Sequence, residues 1–182
     1  GTRRPSPTGR ECARQITDEL GQLNYVIISG LANGIDDVAH RTALDSGTPT
    51  IGVLGSGIRV IFPAATRNTR QRILDSNGAI VTEYFPQDSY SRDRFLKRNR
   101  IQAAISIATV PLEGEMISGT SGTYRFALKL GRTVFGIWKG LTSEISGENQ
   151  ILTDMQLKGL PVIDLDKHSP RHQLQQILAY SS

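Results

Sequence analysis

Along the chain, short apolar runs rich in β-branched residues recur, each followed by a stretch with helical period. The runs are 25–29 (YVIIS), 50–54 (TIGVL), 79–83 (AIVTE), 105–112 (ISIATVPL) and 133–137 (TVFGI). Most are continuously apolar rather than alternating, which predicts strands covered on both faces. Between them, residues 10–23 place Cys12, Ala13, Ile16 and Leu20 on one side of a helix, and residues 35–46 group Ile35, Val38, Ala39, Thr42 and Ala43 in the same way. Residues 66–76 make a third helix that stops at Asn77-Gly78, a pair suited to the left-handed turn that ends helices. Residues 94–104 and 123–130 supply two more, the last closed by Gly131. Strand and helix thus alternate through residue 137, the pattern of an α/β, Rossmann-like three-layer fold with a mainly parallel sheet.

Two places break the rhythm. The chain opens on GTRRPSPTG, which reads as a strand-to-helix loop with no strand before it, so either the first strand is missing from the chain, the favoured expectation, or the sheet starts later. After Gly140 the pattern thins to a short helix, a short strand and a terminal helix over 170–180. The expected organisation is a core over 1–140 and an extension of the same domain over 141–182.

Composition changes this picture little. The chain has 182 residues, enough for one domain with a real core, and 38% hydrophobic with 21% charged residues is ordinary for a globular protein. A net charge of +4 leans toward a polyanionic partner without naming one. Cys12 is the single cysteine, which excludes a disulfide framework and a cysteine-rich zinc site and fits a reducing compartment. No apolar run approaches the roughly 18 to 20 residues that span a bilayer, and the first residues lack the apolar centre of a signal peptide, so the expected location is the cytoplasm.

Candidate chemistry sits in the loops. In a doubly wound sheet, ligands bind beyond the carboxyl ends of the strands, where helix N-termini present free N–H groups. Four loops rich in small residues fall there: GTRRPS, SGLANGID (29–36), GSGI (55–58) and SGTSGT (118–123). Each alone could be a plain turn. None has the spacing of a dinucleotide fingerprint or a P-loop, which argues against an NAD enzyme or a Walker ATPase. The segment RDRFLKRNR (92–100) is basic; at helical spacing Arg94, Lys97, Arg98 and Ile101 share a side, so three cations could line a groove with Phe95 offering a ring for stacking. The alternative is a solvated basic face.

Catalytic constellations are poor. His40, His168 and His172 lack metal spacing, and His40 reads as a packed or rim histidine. Asp36 and Asp37 open a helix, where carboxylates favour the dipole. Glu83 and Glu113 end strands on the rim; either could act as an acid, orient loop amides or hold an arginine. No GxSxG elbow occurs. Trp138 reads as core or edge packing.

The segments GTRRPSPTG, SGLANGIDDVAHRTALDSGTPTIGVLGSGI, VIFPAATRNT, TEYFPQ, FLKRNRIQAAIS and SGTSGTYRFALKLGRTVFGI occur in a fixed order over residues 1–138. In that order and spacing the chain resembles the DprA/Smf DNA-processing proteins. The resemblance implies an extended Rossmann-like domain that binds single-stranded DNA, forms a homodimer and loads a RecA-type recombinase in natural transformation, with no catalytic activity and no cofactor. Carried over by position, it makes Arg3, Ser29, Gly30, Lys97, Arg98, Asn99 and Arg100 the phosphate and base contacts and Phe95 a stacking ring. Ser118, Gly119 and Thr123 would line the same pocket.

The chain also departs from the family pattern. Asn33 stands where a basic residue is usual, Leu96 replaces a proline in FLKRNR, SGTSGTY replaces a less polar SGSLxTA, and IQAAIS replaces IIxGLS. The family's flanking helical and winged-helix domains are not evident. The alternative reading is a nucleotide-binding sensor or phosphoribohydrolase-like enzyme of the related superfamily, because GTSGT (119–123) resembles its phosphate loop. There the glutamate needed for hydrolysis is replaced by Phe126, which leaves no carboxylate to stabilise an oxocarbenium-like sugar.

Overall fold

A computed structural model describes residues 1–140, 149–167 and 170–179. In chain order the elements are α1 (Pro7–Gln22), β1 (Ile27–Ser29), α2 (Ile35–Asp45), β2 (Thr50–Val53), a 3-10 turn (Ala64–Thr66), α3 (Arg67–Asp75), β3 (Ala79–Val81), α4 (Arg92–Ile105), β4 (Ala108–Thr109), α5 (Gly119–Lys129), β5 (Thr133–Val134), β6 (Gly136–Trp138), α6 (Gln150–Leu157), β7 (Val162–Asp164) and α7 (Pro170–Ala179). The His168 considered from sequence lies outside the described residues.

Every described strand pairing is parallel. The strand β2 lies between β1 and β3, with Ile28 beside Ile51 and Gly52 beside Ile80. The run Thr133–Trp138 changes partner along its length: β5 pairs with β4, and β6 pairs with β7. Its side chains alternate between two cores, as a strand covered on both faces requires. Val134 joins Ala103, Tyr124, Ala127, Ile151, Leu152 and Met155 from α4, α5 and α6. Phe135 joins Cys12, Ala13, Ile16, Leu174 and Leu178 from α1 and α7. Helices above and below a parallel sheet give the Rossmann-like three-layer architecture expected from the pattern. Trp138 packs against both clusters.

Not every strand is covered. β3 is an edge strand with Ala79 and Val81 exposed, which its apolar sequence did not indicate. The expected strand 105–112 shrinks to Ala108–Thr109, because α4 runs on to Ile105.

Between the edges of β1 and β4 that face away from their described partners lies a cleft of about 420 Å³. Val26, Ile28, Ile107, Thr109 and Phe135 are among its lining residues, and Gly1 stands at it as well. Thr2 bonds to both sides: its N–H donates to the Glu113 carbonyl at 2.9 Å, and its own carbonyl accepts from the Ile35 N–H at 3.1 Å. The opening loop is thereby fixed at the carboxyl ends of β1 and β4.

Candidate nucleic-acid interface

The site is built by loops that leave the carboxyl ends of the strands, and a buried arginine ties them together. Arg98, on α4, is only 3% exposed. Its Nη1 donates to the carbonyl of Gly30, just past β1, and to that of Val53, the last residue of β2. A charged donor answering backbone acceptors that the sheet has left over is a strong use of a guanidinium. Burial pulls its pKa down to about 10, with the nearby Asp36 carboxylate opposing, so it stays cationic at neutral pH. Gly30 has to be glycine for this approach: a Cβ there would lie 2.3 Å from the Arg98 Nη1.

The opening loop is held next to the same place. Gly34, at φ 88°, caps α2 and sits against Thr2 and Arg3, where a Cβ would meet the Thr2 carbonyl oxygen at 2.3 Å. The Glu113 carboxylate accepts from the Ser6 N–H at 3.0 Å and from its hydroxyl at 3.1 Å, while Ser6 caps α1 through the Gly9 N–H. Of the roles open to Glu113 from sequence, the structure shows the orientation of loop amides; Glu83 holds an arginine, Arg100.

Phe95 is the hub of a second layer. It is 7% exposed, packed edge-on against Phe62 and Tyr90 with centroids 6.1 and 4.9 Å away. The cations of Arg98 and Arg3 lie 4.8 and 5.6 Å from its ring. A ring so enclosed supports the rim instead of offering a face to a base. The accessible rings are others: Phe62, stacked on Tyr90 at 3.8 Å, and Phe85, which is 80% exposed on the loop after β3. The sequence of TEYFPQ does not single out its phenylalanine, because nothing in an apolar ring separates a surface position from a core one.

The three cations expected to line one groove do not do so. Arg98 turns inward to the sheet, Arg94 turns to Asp88, the Ser89 carbonyl and the Tyr84 ring, and Lys97 points outward to Asp93. Lys97 and Arg100 are more than half exposed. Such surface pairs contribute about 0 to 1 kcal/mol, so an incoming phosphate can replace either carboxylate at little cost. Arg3 is exposed as well.

Asn99 is buried and donates from Nδ2 to the Gly119 carbonyl at 2.8 Å, which fixes the start of α5 beside α4. There Ser118 and Ser121 form a reciprocal capping box, so their hydroxyls are engaged in holding the helix. Ser29 and Thr123 face the cleft between β1 and β4. Asn33 is exposed at the tip of its loop. His40 is buried, with Nδ1 2.8 Å from the Thr50 hydroxyl, and burial brings its pKa down to about 4. It is a packed histidine. Cys12 is buried too, which pushes its thiol up to about 11.

Comparisons with known proteins agree with one another. The family model described as DNA recombination-mediator protein A matches residues 1–158. The DNA processing protein DprA of Streptococcus pneumoniae is 35% identical over 137 residues, covering 75% of this chain and 48% of that protein. An X-ray structure of DprA from Streptococcus pneumoniae superposes with a TM-score of 0.79 at 31% identity, covering 90% of this chain and 56% of the other. A structure of DNA processing protein A from Helicobacter pylori, described for its single-stranded DNA binding mode, superposes at 0.83 with 26% identity, covering 98% and 78%. The chain spans roughly a third to a half of the length of the curated relatives it matches.

Proposed function

The chain belongs to the DNA recombination-mediator protein A family, and on that premise we propose that it binds single-stranded DNA on the rim at the carboxyl ends of β1 and β2, in DNA processing of the kind that accompanies natural transformation. One observation carries the reading: the buried Arg98 fastens α4, which bears the exposed Lys97 and Arg100, to the ends of two strands, and Arg3 lies over the Phe95 ring of the same helix. In this reading Arg98, Asn99 and Gly30 are the frame, and the exposed cations meet phosphates. Phe62 and Phe85 stack on bases; every base has a flat face, so such contacts are tolerant of sequence. Thr123 and Ser29 bound the adjoining cleft.

The same proposal takes in a cytoplasmic setting, assistance to a RecA-type recombinase and a homodimer, for which Ile117 and Leu157, two strongly exposed apolar side chains, are available contact points. Light scattering tests the dimer. The nucleotide-sensor reading fits less well, because the serines of its loop are consumed in capping α5, and the phosphoribohydrolase-like reading lacks its glutamate besides, since position 126 is a phenylalanine.

A parallel titration with a single-stranded oligonucleotide, the matching duplex and a nucleoside monophosphate tests the proposal. Preferential binding of the single strand is expected. Saturable binding of the mononucleotide alone would give the site to the sensor reading.

A further inference from the structure

A second basic surface lies beyond the loop that follows β2. It is a groove of about 630 Å³ between the segment 58–61 and α3, lined among others by Ile58, Arg59, Ile61, Arg67 and Arg70, and no aspartate or glutamate is among its lining residues. The three arginines differ in their engagement. Arg70 donates to the carbonyls of Val60 and Ile58 and so holds the loop in shape. Arg59 and Arg67 are exposed, with no side-chain hydrogen bond or ion pair among the described residues. Two free guanidiniums on a braced wall invite anions, and guanidinium forks suit phosphate oxygens.

Rings and backbone bonds link the groove to the rim. Arg59 donates its N–H to the Pro86 carbonyl at 2.9 Å, beside the exposed Phe85. Ile61 leads directly into Phe62, whose ring stacks on Tyr90 and meets the edge of Phe95, under Arg3. Cations therefore stand at both ends of a ring cluster in which Phe62 is partly exposed and Phe95 is enclosed. A chain of phosphates joined by flat, unstacked bases matches that order of contacts; a duplex, whose bases are already stacked, does not.

Resting on the single-stranded DNA reading of the rim, we propose that the Arg59–Arg67 groove is a second phosphate-binding station, which the strand reaches across Phe62 and Phe85 only when it is long enough to leave the rim.

The experiment uses fluorescence anisotropy of the whole chain with oligothymidylates of about six and about twenty nucleotides, lengths that bracket common site sizes. The variants are Arg59→Ala/Arg67→Ala and, to keep the charge, Arg59→Lys/Arg67→Lys, with circular dichroism to verify folding. For the longer strand, the alanine pair should weaken binding by about tenfold near 0.1 M salt and flatten the salt slope by about 1.4, as two phosphates left unneutralised require. The shorter strand should bind unchanged, and the lysine pair should restore the slope. Equal losses on both lengths would reduce the effect to net charge and overturn the second station, as would no loss on the longer strand. Failure of the unaltered protein to bind either length would remove the rim reading itself, and the second station with it.

Discussion

The guanidinium of Arg98 donates to the carbonyl of Gly30 across 68 residues of sequence, and the same nitrogen reaches Val53. This contact fastens α4 to the loops that leave β1 and β2. Removing the side chain strands two buried acceptors and takes one of the nearby cations away from Asp36. Arg98→Ala should therefore lower unfolding stability by about 3 kcal/mol in urea denaturation, the scale for buried charged hydrogen bonds. Gly30→Ala should damage the same contact from the other side, since its methyl would displace the guanidinium. The two effects should be strongly non-additive in a double-mutant cycle; simple additivity would mean that the contact contributes little.

Arg3 gives the opposite expectation. It is exposed above the Phe95 ring and supports no other element through its side chain. Arg3→Ala should leave the denaturation midpoint within about 0.5 kcal/mol of the parent, yet weaken single-stranded DNA binding several-fold. A fall in stability with unchanged binding would place Arg3 in the frame.

His40 should make the fold sensitive to acid. The Thr50 hydroxyl donates to the Ile27 carbonyl, so it accepts from His40 and the proton sits on Nδ1 of a neutral ring. Burial holds the folded pKa near 4, below the ordinary 6.5, with Asp36 and Asp37 opposing. The unfolded chain therefore takes up the proton first. Stability contributed by the neutral ring is full above about pH 6.5 and is lost as pH falls toward 4, by up to about 3 kcal/mol. His40→Gln should flatten that part of the profile measured by urea titration.

Much of the fold was readable because strands and helices carried different periods. The boundaries that moved did so for identifiable reasons. The apolar run 105–112 cannot by itself tell a helix end from a strand, and α4 extends to Ile105 before Ser106 turns out of the helix. α5 begins at Gly119, inside a stretch of glycine and serine with low helix propensity, because the Ser118–Ser121 capping box and the Asn99 bond hold its first turn. α1 begins at Pro7, with Ser6 as its cap, a signature visible in the sequence as Ser-Pro.

The site was readable as a set of segments and less so as a set of roles. Arg98 sits in a basic run that reads as a groove-lining patch or a solvated face, both of which leave it exposed; only the strand ends supplied by residues 30 and 53 make its burial favourable. Phe95 and Phe85 are alike in sequence. One is closed in by Phe62, Tyr90 and two arginines, and the other stands in solvent.

The central claim is that exposed cations on the rim hold the phosphates of a single strand. The most direct measurement is the affinity for a single-stranded oligonucleotide as a function of salt, for the unaltered chain and for Arg3→Ala/Arg100→Ala. The logarithm of the binding constant should fall linearly with the logarithm of salt concentration, and the variant's slope should be shallower by about 0.7 for each phosphate that the protein no longer neutralises. A binding constant indifferent to salt, or a slope identical in the variant, would contradict the claim.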